Sequence, residues 1–508
     1  MKKSKKNYSK VLSVLLSILM LCFCLPIFSS CTNSESFIKT LAKNKTEYNL
    51  NVDINCNNKI LDIKQSVKYI NLTEQVALKS IYFHIYPKAF SEGVINKPVS
   101  NLNENKAYPN GVNYVEVNIT KVEVNGEEVT LEYSNADKDI LIVNLSKELM
   151  PKEKVNIYFE YSLKLPNIHH RYGYGENTIN LGNFFLIACK YDEGEGFYDN
   201  SYHYNGDPFY SDIANYSAVV CYDENYTLAT TGVKTNEKVE NGKKITEVKA
   251  DAVRDFALIL SDKFNVLSET INNTKVNYYY YNDNNPEQSL KASVDSVKTF
   301  NNLFSTYPYK ELNVCESNFV YGGMEYPNLV FISDNLDNYE DYIYTIVHEI
   351  AHQWWYGVVG NNEYKYGFLD EGLTEYSTYL FFDENPEYNM DTKEMIKNTT
   401  NSYLLFIEVY KEVFTTVDTS MLRSLDEFNT EPEYIYMAYV KGVLMYDHLK
   451  DLVGDKKFIK SLQIYYEQNK GKNATPSDLI VAFNKGSGQN LESYFNSWFN
   501  GTVVIETI

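Results

Sequence analysis

The sequence predicts a two-part fold: a β-domain over residues 48–265, followed by an α+β, mostly helical domain over residues 266–508 built around a metal-binding helix. Three observations predict it. Between residues 46 and 265 apolar residues alternate with polar ones, in runs such as "YNLNVDINC" and "KVNIYFEYSLKL". From residue 286 the period turns helical, through "PEQSLKASVDSVKTFNNLFSTY". Between these helical stretches, "HEIAH" at 348–352 places two histidines four apart.

Composition sets the outer bounds. With 44% apolar and 22% charged residues, 508 residues bury sizeable cores, and the length suggests two to four domains. A net charge of −20 argues against nucleic-acid partners. Neither internal repeats, nor a P-loop, nor a G-x-S-x-G serine site is found.

The chain begins with Lys2, Lys3, Lys5 and Lys6, then the apolar run "VLSVLLSILMLCFCLPIF" at 11–28, then "SSC". This is the pattern of a signal peptide, residues 1–30. The small residues before Cys31 resemble a bacterial lipobox, in which the cysteine is lipidated and becomes the mature N-terminus; Phe28 stands where a leucine is usual. The alternative is an uncleaved anchor, barely long enough to span and broken by Pro26. Lipidation is the favoured reading, giving a lipoprotein; either way the expectation is an extracytoplasmic protein tethered to the membrane, with residues 31–47 as a polar tether. Cys56, Cys189, Cys221 and Cys315 are left as buried thiols by default, since no spacing among them suggests a metal site.

In the β-domain, Asn125-Gly126 and Asn241-Gly242 are hairpin signals. The acidic stretch "YDEGEGFYDN" at 191–200 lacks a twelve-residue ligand pattern and reads as a solvated loop, not a calcium site.

The metal helix carries the chemistry. Residues i and i+4 share one helix face, so His348 and His352 can grip one ion. A catalytic zinc takes three protein ligands and one water, and Glu349, one residue round the helix, can accept that water's proton. Even counting all 67 acids as glutamate, seven histidines in 508 residues give about 0.01 copies of H-E-x-x-H by chance. A third ligand can come from "GFLDEGLTEYSTYLFF" at 367–382, an amphipathic helix with Leu369, Leu373, Tyr376 and Leu380 on one face. Glu371 and Glu375 lie on a second face, and either could reach a metal.

"HEIAHQWW" followed by "LDEGLTEY" resembles the gluzincin aminopeptidases, the zinc exopeptidases that include aminopeptidase N and leukotriene hydrolase. "GGMEYPNLVF" at 322–331 is similar to the family's G-x-M-E-N strand, with Tyr326 in place of asparagine, and "AYVKG" at 438–442 to its Y-x-K-G element. The resemblance runs from about residue 46 to the end. It implies a saddle-like β-sandwich, then a thermolysin-like catalytic domain, and one zinc held by His348, His352 and Glu371. It also implies Glu349 as general base, Tyr439 as transition-state donor and Glu325 as anchor of a substrate's free N-terminus. Gly322 and Gly323 would let peptide backbone approach, and Tyr434 would line the same cleft. The family's amine-binding glutamine from the β-domain has no equivalent near "NLGNFFLIACKY". No room remains for the further helical domain of many relatives, so a more open cleft is expected. The implied activity is removal of the first residue from peptides with a free N-terminus; the alternatives are a zinc endopeptidase and a catalytically idle binding or adhesion lipoprotein.

Overall fold

The computed structural model describes residues 34–336 and 338–505; the signal segment 1–30 and Cys31 lie outside the described residues. A helix at Ser34–Leu41 leads into an eight-stranded sheet. Its strands are β1 (Glu47–Asn55), β2 (Ile60–Ile70), β3 (Glu116–Val124), β4 (Glu127–Glu128), β5 (Lys154–Lys164), β6 (Ala214–Asp223), β7 (Val233–Glu240) and β8 (Lys243–Val253). They lie in the order β7-β8-β6-β1-β2-β5-β3-β4, and β1 with β6 is the parallel pair. Alternation works as expected: β1 buries Tyr48, Leu50, Val52 and Ile54 and turns Asn49, Asn51 and Asp53 to solvent. Two four-stranded sheets pack with this one into a single apolar core.

Asn125 and Gly126 have φ of 52° and 87°, and Asn241 and Gly242 have 51° and 76°. Both pairs occupy the left-handed region that a two-residue hairpin demands, and each joins two paired strands, β3 to β4 and β7 to β8. Cys56, Cys189, Cys221 and Cys315 are all free thiols, and Cys221 is the one not fully buried.

A second sheet follows, from β9 (Asn265–Ile271), β10 (Thr274–Tyr280), β11 (Glu311–Ser317), β12 (Gly323–Met324) and β13 (Leu329–Ser333), in the order β9-β10-β11-β13-β12. Helix α1 (Pro286–Leu303), with proline in its first turn, carries the chain from β10 to the parallel β11. This sheet is a wall shared by two cores. On β13, Leu329 and Phe331 join the β-rich core, while Val330 and Ile332 join the helical core.

The helical part holds α2 (Tyr339–Ala351), α3 (Glu371–Glu384), α4 (Lys441–Val453) and α5 (Glu492–Phe499), with further helices at Thr392–Phe414, Asp455–Asn469 and Pro476–Ser487. Among the described residues no helix is long and apolar enough to cross a membrane. Helix α3 corrects the amphipathic expectation. Leu369 precedes it, and its polar Glu371, Thr374, Ser377 and Thr378 are buried alongside Leu373, Tyr376 and Leu380. Neighbouring helices and the cleft wall, not water, cover its second face.

Two contacts between the halves place the cleft. The Tyr326 hydroxyl donates to Asn183 Oδ1 at 2.8 Å, and a Cβ on Gly182 would overlap that hydroxyl at 1.8 Å. The glycine makes room for the tyrosine that replaces the family's asparagine. Arg254, buried, donates to the carbonyls of Tyr356 and Lys472 at 2.9 and 3.0 Å, closing the other side.

Helices α3 and α4 meet glycine to glycine. A Cβ on Gly442 would lie 2.5 Å from the Cα of Gly372. Gly442 is the last residue of the Y-x-K-G element, so its glycine is a packing requirement. The buried ammonium of Lys441, next to it, donates to the carbonyls of Thr419 and, at 3.1 Å, Trp498, tying α4 to α5. Gly442→Ala is expected to cost about 1–3 kcal/mol of stability through overpacking, more than the helix-propensity gain of about 1 kcal/mol. Urea denaturation checks this; a variant more stable than the parent would show the crossing to be loose.

Candidate active site

Helix α2 starts at Asn338, whose side chain caps Asp341 N, and its regular turn ends with His352 at the C-cap. Helix α3 starts at Glu371, one residue after its N-cap Asp370. Imidazoles thus sit at one helix C-terminus and a carboxylate at the next N-terminus, the arrangement helix dipoles favour. The tips converge. His348 Nε2 and His352 Nε2 are 3.2 Å apart, and Glu371 Oε2 is 3.1 Å from the latter and 3.5 Å from the former. Ligand atoms on a tetrahedral ion with bonds of about 2.0–2.1 Å stand about 3.4 Å from one another, so the donor set fits zinc in spacing and chemistry.

The outer nitrogens are engaged too. His352 Nδ1 is 3.1 Å from both the Trp355 carbonyl and Thr374 Oγ1. His348 Nδ1 is 2.8 Å from Glu375 Oε2, and Glu375 Oε1 accepts from the Tyr344 hydroxyl at 2.6 Å. Glu375, the alternative ligand in the sequence, therefore stands behind His348. Such partners orient the rings.

The local field calls for a cation. Burial penalises charge on every group here, yet His352 and His348 hold the carboxyl of Glu371 well below its ordinary range. Burial likewise opposes protonation of the histidines, and Glu371 overcomes it for both, helped by Glu325 at His352 and Glu375 at His348.

Glu349 and Glu325 border the same space. Glu349 is buried, Oε2 has no hydrogen-bond partner among the described residues, and burial pushes its carboxyl up to about 7. A Cβ on Gly323 would lie 2.4 Å from Glu349 Oε1, so that glycine makes room for the glutamate as well as for a ligand. Gly322 has no such pressure, with Thr345 at an ordinary 3.7 Å. Glu325 follows β12, is 3% exposed, and leaves Oε1 without a partner among the described residues. Burial and then Asp207 push its carboxyl well up.

Tyr439 lies in a π-helical turn, Tyr436–Val440, that runs directly into α4. Such turns recur at functional sites because they re-aim a side chain. Its hydroxyl donates to Glu371 Oε1, the oxygen not facing the histidines, and its ring lies nearly parallel to His348 at 6.1 Å. Tyr434 packs edge-on to Tyr439 at 5.9 Å, in space left by Gly206 and Gly367.

All nine predicted residues, His348, Glu349, His352, Glu371, Glu325, Gly322, Gly323, Tyr434 and Tyr439, line one cavity of about 300 Å³. Among the lining residues not singled out in the sequence are two charged ones from the β-rich part, Asp207 and Arg171. Arg171 Nη1 donates to Asp207 Oδ1 at 2.5 Å. Carboxylate oxygens of Asp207, Glu325 and Glu371 lie within 4.8 Å of one another. There is no glutamine equivalent near "NLGNFFLIACKY"; what the β-rich part does bring beside Glu325 is the carboxylate of Asp207, from "NGDPF". The cue available was Asp207 between Gly206 and Pro208 at the entry to β6. Among the described residues, each acid and histidine group able to hold a metal includes residues that line this cleft. The 191–200 stretch forms a small hairpin instead, with Asp192 paired to Lys190 and Glu195 to Lys365.

Comparison with known proteins agrees with this geometry. The peptidase family M1 domain matches residues 288–498. Aminopeptidase M1 of Arabidopsis thaliana is 22% identical over 424 residues, 76% of this chain and 46% of that protein. Aminopeptidase M1-A of Oryza sativa subsp. japonica is 26% identical over 223 residues, 41% of this chain and 25% of that protein. The chain thus spans less than half the length of these relatives. The M1 zinc metallopeptidase of Deinococcus radiodurans shares the fold, with a TM-score of 0.63 at 15% identity, over 91% of this chain and 96% of that one. A substituted form of that enzyme is known bound to the substrate Tyr-Ser-Ala. Residues 288–498, from helix α1 between β10 and β11 to helix α5, are thus the part of the chain that matches the peptidase family M1 domain.

Proposed function

We propose that this chain is a zinc aminopeptidase that releases the first residue from peptides with a free N-terminus. One observation carries the reading: the three metal-binding side chains share a cavity with the carboxylates of Asp207 and Glu325. A metal triad alone suits any hydrolase. The added acids suit a cationic peptide N-terminus, which charge-assisted bonds would hold one residue from the reacting carbonyl.

His348, His352 and Glu371 would hold the zinc, which when bound supplies a Lewis acid and acidifies a water at its open position. The residues do the rest. Glu349, with Oε2 unpartnered among the described residues, accepts the attacking water's proton and passes it to the leaving amine. Asp207, paired with Arg171, shares the ammonium with Glu325. Tyr439 donates to the oxygen on which charge develops, and Gly322 and Gly323 leave room for peptide backbone. Tyr434 closes the wall beside them.

The same reading places the enzyme outside the cytoplasm, anchored by lipid on Cys31. Its support is the residue pattern of the first 31 positions alone. Metabolic labelling with a fatty acid should mark the parent protein and not Cys31→Ala; an unlabelled parent would remove the lipid anchor.

Glu349→Gln should retain one zinc per chain by elemental analysis while turnover falls by about 10²- to 10⁴-fold. Tyr439→Phe should lower kcat and kcat/KM together by about 10²- to 10³-fold, whereas a change confined to KM would assign the hydroxyl to binding.

Free-amine peptides should be cleaved and their N-acetylated forms left nearly intact. Glu325→Ala and Asp207→Ala should each weaken cleavage of free-amine substrates by about 2–5 kcal/mol. Equal cleavage of acetylated peptides at internal bonds would make the protein an endopeptidase. No cleavage by the zinc-loaded protein would leave a binding lipoprotein.

A further inference from the structure

Part of the cavity wall is used neither by the metal nor by the amine. It consists of Tyr204, Phe319, Tyr321, Ile435 and one acid, Glu431. Tyr321 immediately precedes Gly322, and its ring packs edge-on to Phe319 at 5.8 Å and to His170 at 5.5 Å. Its hydroxyl is buried without a hydrogen-bond partner among the described residues, although it lines an open cavity. Glu431 lines the same cavity as that hydroxyl.

Glu431 opens the short helix Glu431–Ile435 and reaches across to the β-rich part. Oε2 accepts from Ser100 Oγ at 2.6 Å, and Asn103 Nδ2 lies 3.1 Å from both oxygens. These donors are neutral, so they orient the carboxylate without cancelling its charge. No lysine, arginine or histidine among the described residues forms an ion pair with it, unlike Asp207, which Arg171 neutralises. An ionised carboxylate has about four acceptor sites, so capacity remains.

An N-terminal residue has three groups on its Cα. Asp207 and Glu325 take the ammonium, the metal triad and Tyr439 take the carbonyl, and the side chain is left to face the remaining wall. We propose that Glu431 is a specificity-determining residue that favours peptides whose first side chain is cationic, arginine or lysine. The aliphatic stem packs on Phe319, Tyr321 and Ile435, and the charged head lies between aromatic faces and the Glu431 carboxylate. A first residue of glutamate meets like charge there. This inference rests on the aminopeptidase reading for its orientation.

The test compares binding and turnover in the zinc-loaded full chain. Calorimetry should show L-arginine binding more tightly than L-leucine, and arginyl substrates should exceed leucyl ones in kcat/KM, each by about 10- to 100-fold, the range for a hydrogen bond to a charged group. Glu431→Gln, whose amide oxygen still accepts from Asn103, should collapse both ratios toward one. Glu431→Lys should turn the preference toward glutamyl substrates. Equal binding of arginine and leucine by the parent, or ratios unchanged in Glu431→Gln, would overturn the inference. Selective L-arginine binding without any peptide hydrolysis would sustain the side-chain site and overturn the aminopeptidase reading instead.

Discussion

The structure is organised around a concentration of buried negative charge. Asp207, Glu325, Glu349, Glu363, Asp370 and Glu371 are each under 10% exposed, grouped about His348 and His352. Isolated buried carboxylates are costly, so such a group persists only where positive charge answers it. Arg171 answers Asp207, and the two imidazoles answer Glu371. Burial and then Asp370 push the carboxyl of Glu363 well above its ordinary range. What remains is a cavity with room for a divalent cation and, beside it, a second cationic group. On the proposed function, metal and substrate amine are two answers to one electrostatic demand.

That arrangement requires close backbone approach, which accounts for several glycines that resemble motif letters. Gly323 admits Glu349, Gly442 and Gly372 let α4 lie against α3, and Gly182 admits Tyr326. The α3–α4 contact matters most for the site, because Glu371 precedes Gly372 and Tyr439 lies three residues before Gly442. Bringing two helix starts together brings the ligand and the tyrosine together. The π-helical turn at Tyr436–Val440 then aims that tyrosine inward.

The cleft is a property of the junction between the two halves. Metal ligands come from α2 and α3, Glu325 from the sheet that both cores share, and Asp207 and Arg171 from the β-rich part. Glu431 is held by Ser100 and Asn103 across the same junction. Shifts between the halves would therefore move Asp207 and the partners of Glu431 before disturbing His348, His352 and Glu371, which belong to the helical part. Tyr326 also links the halves: its hydroxyl reaches Asn183, which in turn donates to Asp255.

Local chemistry made much of this legible from the sequence. Two-residue periodicity marked the β-domain, the i, i+4 histidines needed only helix geometry to meet, and Asn-Gly pairs announced two hairpins, because each depends on neighbours along the chain. Ordered motifs added Glu371, Glu325 and Tyr439 through a family resemblance. Tertiary structure alone decided the rest. The polar face of α3 reads as solvent-facing in one dimension, yet other elements bury it. Asp207 and Arg171 look like ordinary loop and strand charges until folding sets them against Glu325. Glu431 lies 331 residues from Ser100. Contacts at such separations depend on how whole sheets and helices pack, and no local period or spacing records them.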